Sequence, residues 1–148
     1  MKRFRFELDP LLRKHTWEAD VLRTEKATAN RAVVEQEREL QAIQKEIQDC
    51  CDTLIQASGQ DADISIAQRQ VLAVYLRHQH DLASEAKMSL EKARKIEQQI
   101  AEQLLAASQQ VKTLEKLRDG EQKKYDYLRL RAEFNESDEN WLVRHKPA

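Results

Sequence analysis

From Leu8 to Leu54 one set of positions recurs at strictly alternating steps of four and three. The set is Leu8, Leu12, His15, Ala19, Leu22, Lys26, Ala29, Val33, Gln36, Leu40, Ile43, Ile47, Cys50 and Leu54. That spacing keeps one narrow, mostly apolar stripe on one side of an α-helix and is the signature of a coiled-coil seam. A lone helix with such a stripe leaves apolar surface in water, so the pattern demands a partner helix. The same rhythm returns at Leu72, Leu76, Gln79, Ala83, Ala86, Leu90, Ala93, Glu97, Ile100, Leu104, Ala107, Val111 and Leu114.

Little interrupts these two series. With two glycines and two prolines in 148 residues, the chain has room for very long helices and for almost no turns. Aromatics at 5% and charged residues at 34% also argue against a thick globular core. Asp9-Pro10 reads as an N-cap followed by proline at the first helical position, where its missing N–H costs nothing. The first helix is expected over about residues 10–57, roughly 70 Å at 1.5 Å per residue. A loop follows at 58–64, with Gly59 suited to the left-handed position just past a helix end. Ser65 and Gln68 form a capping box at the head of a second helix over about residues 66–141. A short loop between two such helices makes an antiparallel hairpin. The expected fold is therefore all-α: one coiled-coil domain over residues 1–148, two long helices in an antiparallel coiled-coil hairpin with the second helix overhanging.

Charge supports the pairing. Residues 31–63 hold eight acids against three bases, and residues 64–95 hold six bases against three acids, so the opposed segments are complementary. Lys26 and Glu97 both break the apolar seam, and the loop-set register brings them within about a turn or two of each other. They are expected to face each other and to fix register more than to add stability. The same register puts Pro10 opposite about Thr113. Beyond it α-helical overhang carries Leu114, Leu117, Tyr125, Tyr127, Leu128, Leu130, Phe134, Trp141 and Leu142, with no helix left to cover them.

Several functions are disfavoured. The 25 Lys+Arg against 26 Asp+Glu give no bulk field to attract phosphates, which argues against nucleic acid. No apolar run approaches the ~18 residues of a membrane span, and the N-terminus lacks a secretory apolar region, so a cytoplasmic protein without membrane insertion is expected. Cys50 and Cys51 are adjacent; helix neighbours point about 100° apart, so reduced thiols are expected. His78 and His80 point to opposite sides of a helix and cannot share a metal. There is no glycine-rich phosphate loop, no nucleophile elbow and no cleft for paired carboxylates, so neither enzyme activity nor any cofactor is expected.

What remains is off-seam apolar surface. Val71, Val74, Tyr75, His78 and Leu82 make a second stripe beside the seam, either exposed for a partner or merely a widening of the packed face. Seven of the eight aromatics, Phe4, Phe6, Trp17, Tyr125, Tyr127, Phe134 and Trp141, fall near the two termini. Trp17 points outward, with Arg13 one turn back. This end reads either as a local cluster against fraying or as an aromatic and basic docking surface of the composition found at interface hot spots.

The opening Phe4-Arg5-Phe6-Glu7-Leu8-Asp9-Pro10-Leu11-Leu12-Arg13 resembles the start of FliJ-type proteins of the bacterial flagellar export apparatus and of their virulence-secretion relatives. Length, the two-helix pattern, Tyr75-Leu76 early in the second helix and Glu136-Ser137-Asp138-Glu139 near a basic C-terminus also fit. The resemblance implies a central stalk that inserts into a hexameric export ATPase ring, touches the cytoplasmic domain of the export gate and escorts export chaperones. It implies a place at the cytoplasmic face of the inner membrane. It would put gate binding on Val71, Val74, Tyr75 and Leu76, and ATPase binding on Phe4, Phe6, Arg13, Trp17, Tyr125, Leu128, Phe134 and Trp141. Gln79 departs from the resemblance, being polar where an apolar residue is expected. The rival readings are a purely structural coiled coil whose overhang pairs with its own copy, and a general export chaperone.

Overall fold

The computed structural model describes residues 2–59 and 65–147, and among these it contains two α-helices and no strand. Helix α1 spans Asp9–Gly59 and helix α2 spans Ile66–Arg144. They pack against each other as an all-α hairpin, the fold class that the spacing predicts. The chain divides into two compact units: a terminal unit of Met1–Val21 with Leu104–Ala148, and a central unit of Leu22–Gln103.

Local chemistry sets both helix starts. At α2 the Gln68 N–H donates to Ser65 Oγ at 3.2 Å, and the Ser65 N–H donates to Gln68 Oε1 at 3.2 Å. This reciprocal capping box satisfies two otherwise orphaned amides. At α1 the sequence expectation needs a one-residue correction. The Asp9 N–H donates to the Phe6 carbonyl at 3.2 Å and the Leu12 N–H to the Leu8 carbonyl at 2.9 Å, so the helix begins at Asp9 and not at Pro10. Pro10 still lies in the first turn, where an amide has no intrahelical partner. The Asp9 carboxylate pairs with Arg13 Nε at 2.9 Å.

The helix ends also differ from expectation. Gly59 is the last residue of α1, not the left-handed residue beyond it, and no glycine among the described residues has positive φ. Residues 60–64 of the expected loop lie outside the described residues. Helix α2 passes through Asp119-Gly120 unbroken, because a glycine costs a helix only about 1 kcal/mol relative to alanine. It ends at Arg144 rather than near Trp141, and the His145 N–H donates to the Trp141 carbonyl at 3.0 Å.

Burial follows the seam. Leu12, Ala19, Val33, Ala83, Ala86, Leu90 and Ala107 each keep 8% or less of their surface, and all occupy seam positions. Four of the seven are alanines, whose small side chains let two helix backbones come close. Gln79 is buried there too. Lys26 is the clearest exception: it is exposed, Glu97 is half-buried, and no ion pair joins them. A lysine at the edge of a two-helix seam turns its ammonium into water rather than lose hydration. An interhelical ion pair does form elsewhere in the central unit, between Arg94 and Glu37 at 3.0 Å. It falls within the segments of complementary charge; being exposed on both sides, it contributes at most about 1 kcal/mol.

In the terminal unit the non-helical residues before Asp9 act as a strap on α2. Phe6 keeps only 5% of its surface, and the Phe4 ring sits 5.5 Å from that of Tyr125. The Tyr125 hydroxyl donates to the Lys2 carbonyl at 2.6 Å. Leu11 shares a groove with Thr113 and Leu114, close to the expected register, while Pro10 and the strap share one with Arg118 and Gln122 further along α2. The uncovered part of α2 is therefore shorter than expected. Leu114 and Tyr125 are half-buried, and continuous exposure begins at Tyr127 and runs through Pro147. Alternation explains the strap, since alternate residues of a non-helical segment share one face and put Phe4 and Phe6 together. Phe6→Ala is expected to loosen it and to lower stability by up to about 3 kcal/mol, read as an earlier thermal unfolding midpoint by circular dichroism.

Candidate partner-binding surfaces

The central unit presents apolar groups at the start of α2. Val71, Val74 and His78 are exposed, and Ile66, also apolar, is exposed beside them. Val71 lines an open apolar groove with Ala67, Gln68 and Leu72. Tyr75 and Leu82 are half-buried: the Tyr75 hydroxyl donates to Glu46 Oε1 of α1, and Leu82 shares a groove with Ile43 and Glu46. Leu76 is half-buried on the seam. The five-residue stripe therefore splits. Two members widen the packed face, and Val71, Val74 and His78 stay in solvent.

The bond from Tyr75 also changes its acidity. Donation to the Glu46 carboxylate, with smaller contributions from burial and from the negative charge of Glu46, holds the phenol above its ordinary range. Neutral tyrosine makes this tie, so whatever it contributes is fully present below the ordinary phenol pKa and is lost as pH rises through the raised one.

In the terminal unit the aromatic residues separate into two groups. Phe4, Phe6 and Tyr125 build the strap, and Phe6 is too buried to touch a partner while the strap is in place. Trp17, Leu128, Phe134 and Trp141 are exposed. Trp17 flanks a groove formed with Arg13, Glu115 and Arg118. Arg13 is exposed while paired to Asp9. The Trp141 indole stacks on the His145 ring with centroids 4.6 Å apart. His15, at its seam position, has Nδ1 3.3 Å from Glu18 Oε2 but not aligned for a hydrogen bond, leaving that buried nitrogen without one. No described helix is long and apolar enough to cross a membrane.

A family model described as Flagellar FliJ protein matches residues 4–146. The chain belongs to the FliJ family. A FliJ chain is a component of the flagellar export apparatus. Neither among curated proteins nor among solved structures does anything match significantly. The FliJ match covers every candidate residue named above, from Phe4 to Trp141.

Some contacts of this FliJ chain leave no sign in its sequence. Spacing marks Tyr75 as off-seam but gives no sign that Glu46 receives its hydroxyl, because that depends on the exact stagger of two helices. The strap did carry a signal, the Phe4-Arg5-Phe6 alternation, whose period of two differs from the helical rhythm that follows. Exposed Tyr127 and Leu130 belong with Phe134 and Trp141 on the uncovered helix. In a spectroscopic titration, Glu46→Gln is expected to make Tyr75 ionise at lower pH than in the unmodified protein; Tyr75→Phe should remove that titration step and thereby assign it.

Proposed function

We propose that this FliJ-family protein is the non-enzymatic central stalk of a flagellar export ATPase complex, coupling a hexameric ATPase ring to the export gate. The observation that carries the reading is the bare helix from Tyr127 to Arg144, with Leu128, Phe134 and Trp141 in solvent. Aromatic groups exposed on one long helix are the kind of anchor that a surrounding ring can desolvate. Trp17 and Arg13 of α1 extend the ATPase-facing set, with Phe4 and Tyr125 holding the strap beneath it. Phe6 leaves that set because it is buried.

The gate, through its cytoplasmic domain, is assigned to Val71 and Val74, with Tyr75 at their edge and Leu76 supporting them from the seam. Polar Gln79 lies one turn past Tyr75 and is buried, so it leaves the exposed groove apolar. Escort of export chaperones would use the same exposed groups. The protein would work in the cytoplasm, at the cytoplasmic face of the inner membrane, held there through its partners. Catalysis belongs to the ATPase, and the stalk supplies surface that favours the assembled ring.

The test is reconstitution with the cognate export ATPase. The full chain is expected to raise ATP hydrolysis severalfold, and a chain ending at Asp126 to lose that effect while keeping its helical circular dichroism. Val71→Asp with Val74→Asp should keep the stimulation and lose capture of the gate's cytoplasmic domain. Undiminished stimulation by the shortened chain would remove the ATPase assignment.

A further inference from the structure

We infer that the uncovered end of α2 pairs, antiparallel, with the same segment of a second copy of this chain, about a two-fold axis beside Phe134. Helical geometry puts Tyr127, Leu130, Phe134 and Trp141 within an arc of about 60°. Their exposures are 64%, 49%, 65% and 59%. This is not the seam waiting for α1. The seam line, carried on through Tyr125 and Leu128, runs roughly 140° around the helix from this stripe.

The spacing of the stripe is symmetric. Tyr127 lies two turns before Phe134 and Trp141 two turns after it, so a copy running the other way sets Tyr127 over the partner's Trp141 and Phe134 beside the partner's Phe134. A two-fold interface has this property: if one residue meets a second, the second meets the first.

Charges at the two edges fit the same register. Arg131 and Asp138 flank the stripe on one side, and Asp126 and Arg144 on the other. In the antiparallel pair Arg131 comes within about one residue of the partner's Asp138, and Asp126 within about two of the partner's Arg144. Symmetry doubles both to four contacts. In a parallel pair each flank meets the partner's opposite flank, which leaves Arg131 about five residues along the axis from the partner's Asp126 and Asp138 about six from the partner's Arg144, too far to pair. Within the chain Arg129 is already paired to Glu133 at 3.7 Å, whereas Arg131, Asp138 and Arg144 make no ion pair among the described residues. One helical segment of this length gives a small interface, so the dimer belongs in the micromolar class.

The pairing covers Phe134 and Trp141, so it excludes any other partner from them; it does not depend on the stalk reading, and its test contains no ATPase. Sedimentation equilibrium of the full chain should show a monomer and dimer in concentration-dependent balance. Phe134→Asp and Arg131→Glu should each weaken the dimer by about tenfold or more, since every substitution acts twice. Both sites are exposed in the single chain, and an unchanged circular dichroism spectrum checks that folding is intact. Arg131→Glu combined with Asp138→Arg should restore affinity to within about threefold, a rescue that a parallel pair cannot give. A monomer at all concentrations up to the order of 100 µM, a dimer indifferent to Phe134→Asp, or a double reversal no better than the single one would each overturn the inference.

Discussion

Two helices that pack side by side share one face each, and no more. Everything else on either helix must be polar, covered by another part of the chain, or left in water. In this FliJ-family protein the shared face consists of the positions spaced by fours and threes, and it buries Leu12, Ala19, Val33, Ala83, Ala86, Leu90 and Ala107. The limit explains why the protein keeps so much apolar surface exposed. Val71, Val74, Trp17, Tyr127, Leu130, Phe134 and Trp141 lie off the seam, and Leu128 lies where the seam has no partner helix, so they are the natural places to look for partners.

The strap before Asp9 answers the same constraint differently. Where α1 has not yet begun, α2 would lie bare from about Arg118 onward. Phe4 and Phe6 cover part of that stretch without helical structure, and Tyr125 is held through the Lys2 carbonyl. An aromatic group can thus belong to the packed body or to the partner surface depending on a few residues of chain, and Tyr125 and Tyr127 fall on opposite sides of that divide.

Much of the architecture was legible from spacing alone, because a heptad seam over many turns leaves a chain few alternatives. The Ser65-Gln68 box was legible for a related reason: capping depends on residues three apart and not on the rest of the fold. What depended on the second helix was harder. Lys26 and Glu97 were matched by position, but a lysine's four-carbon stem lets it leave a seam edge for water, and an ion pair formed between Glu37 and Arg94 instead. The family resemblance rested mainly on the opening residues, and the family match extends over both units. Candidate residues near the termini were found as a group, although the group proved to be two sets with different burial.

The alanines of the seam have a mechanical corollary. Methyl groups from Ala83, Ala86 and Ala107 fill little of the space between the helices, so they fix the register less firmly than larger side chains would. Seam positions recur every three or four residues on both helices, so moving one helix by a full turn would still set seam against seam, and the seam alone resists such a slip weakly. The polar links at the rim, Tyr75 to Glu46 and Arg94 to Glu37, have no equivalent one turn away. Weak as each is in free energy, they serve as the ruler marks that tell the two helices how far to slide.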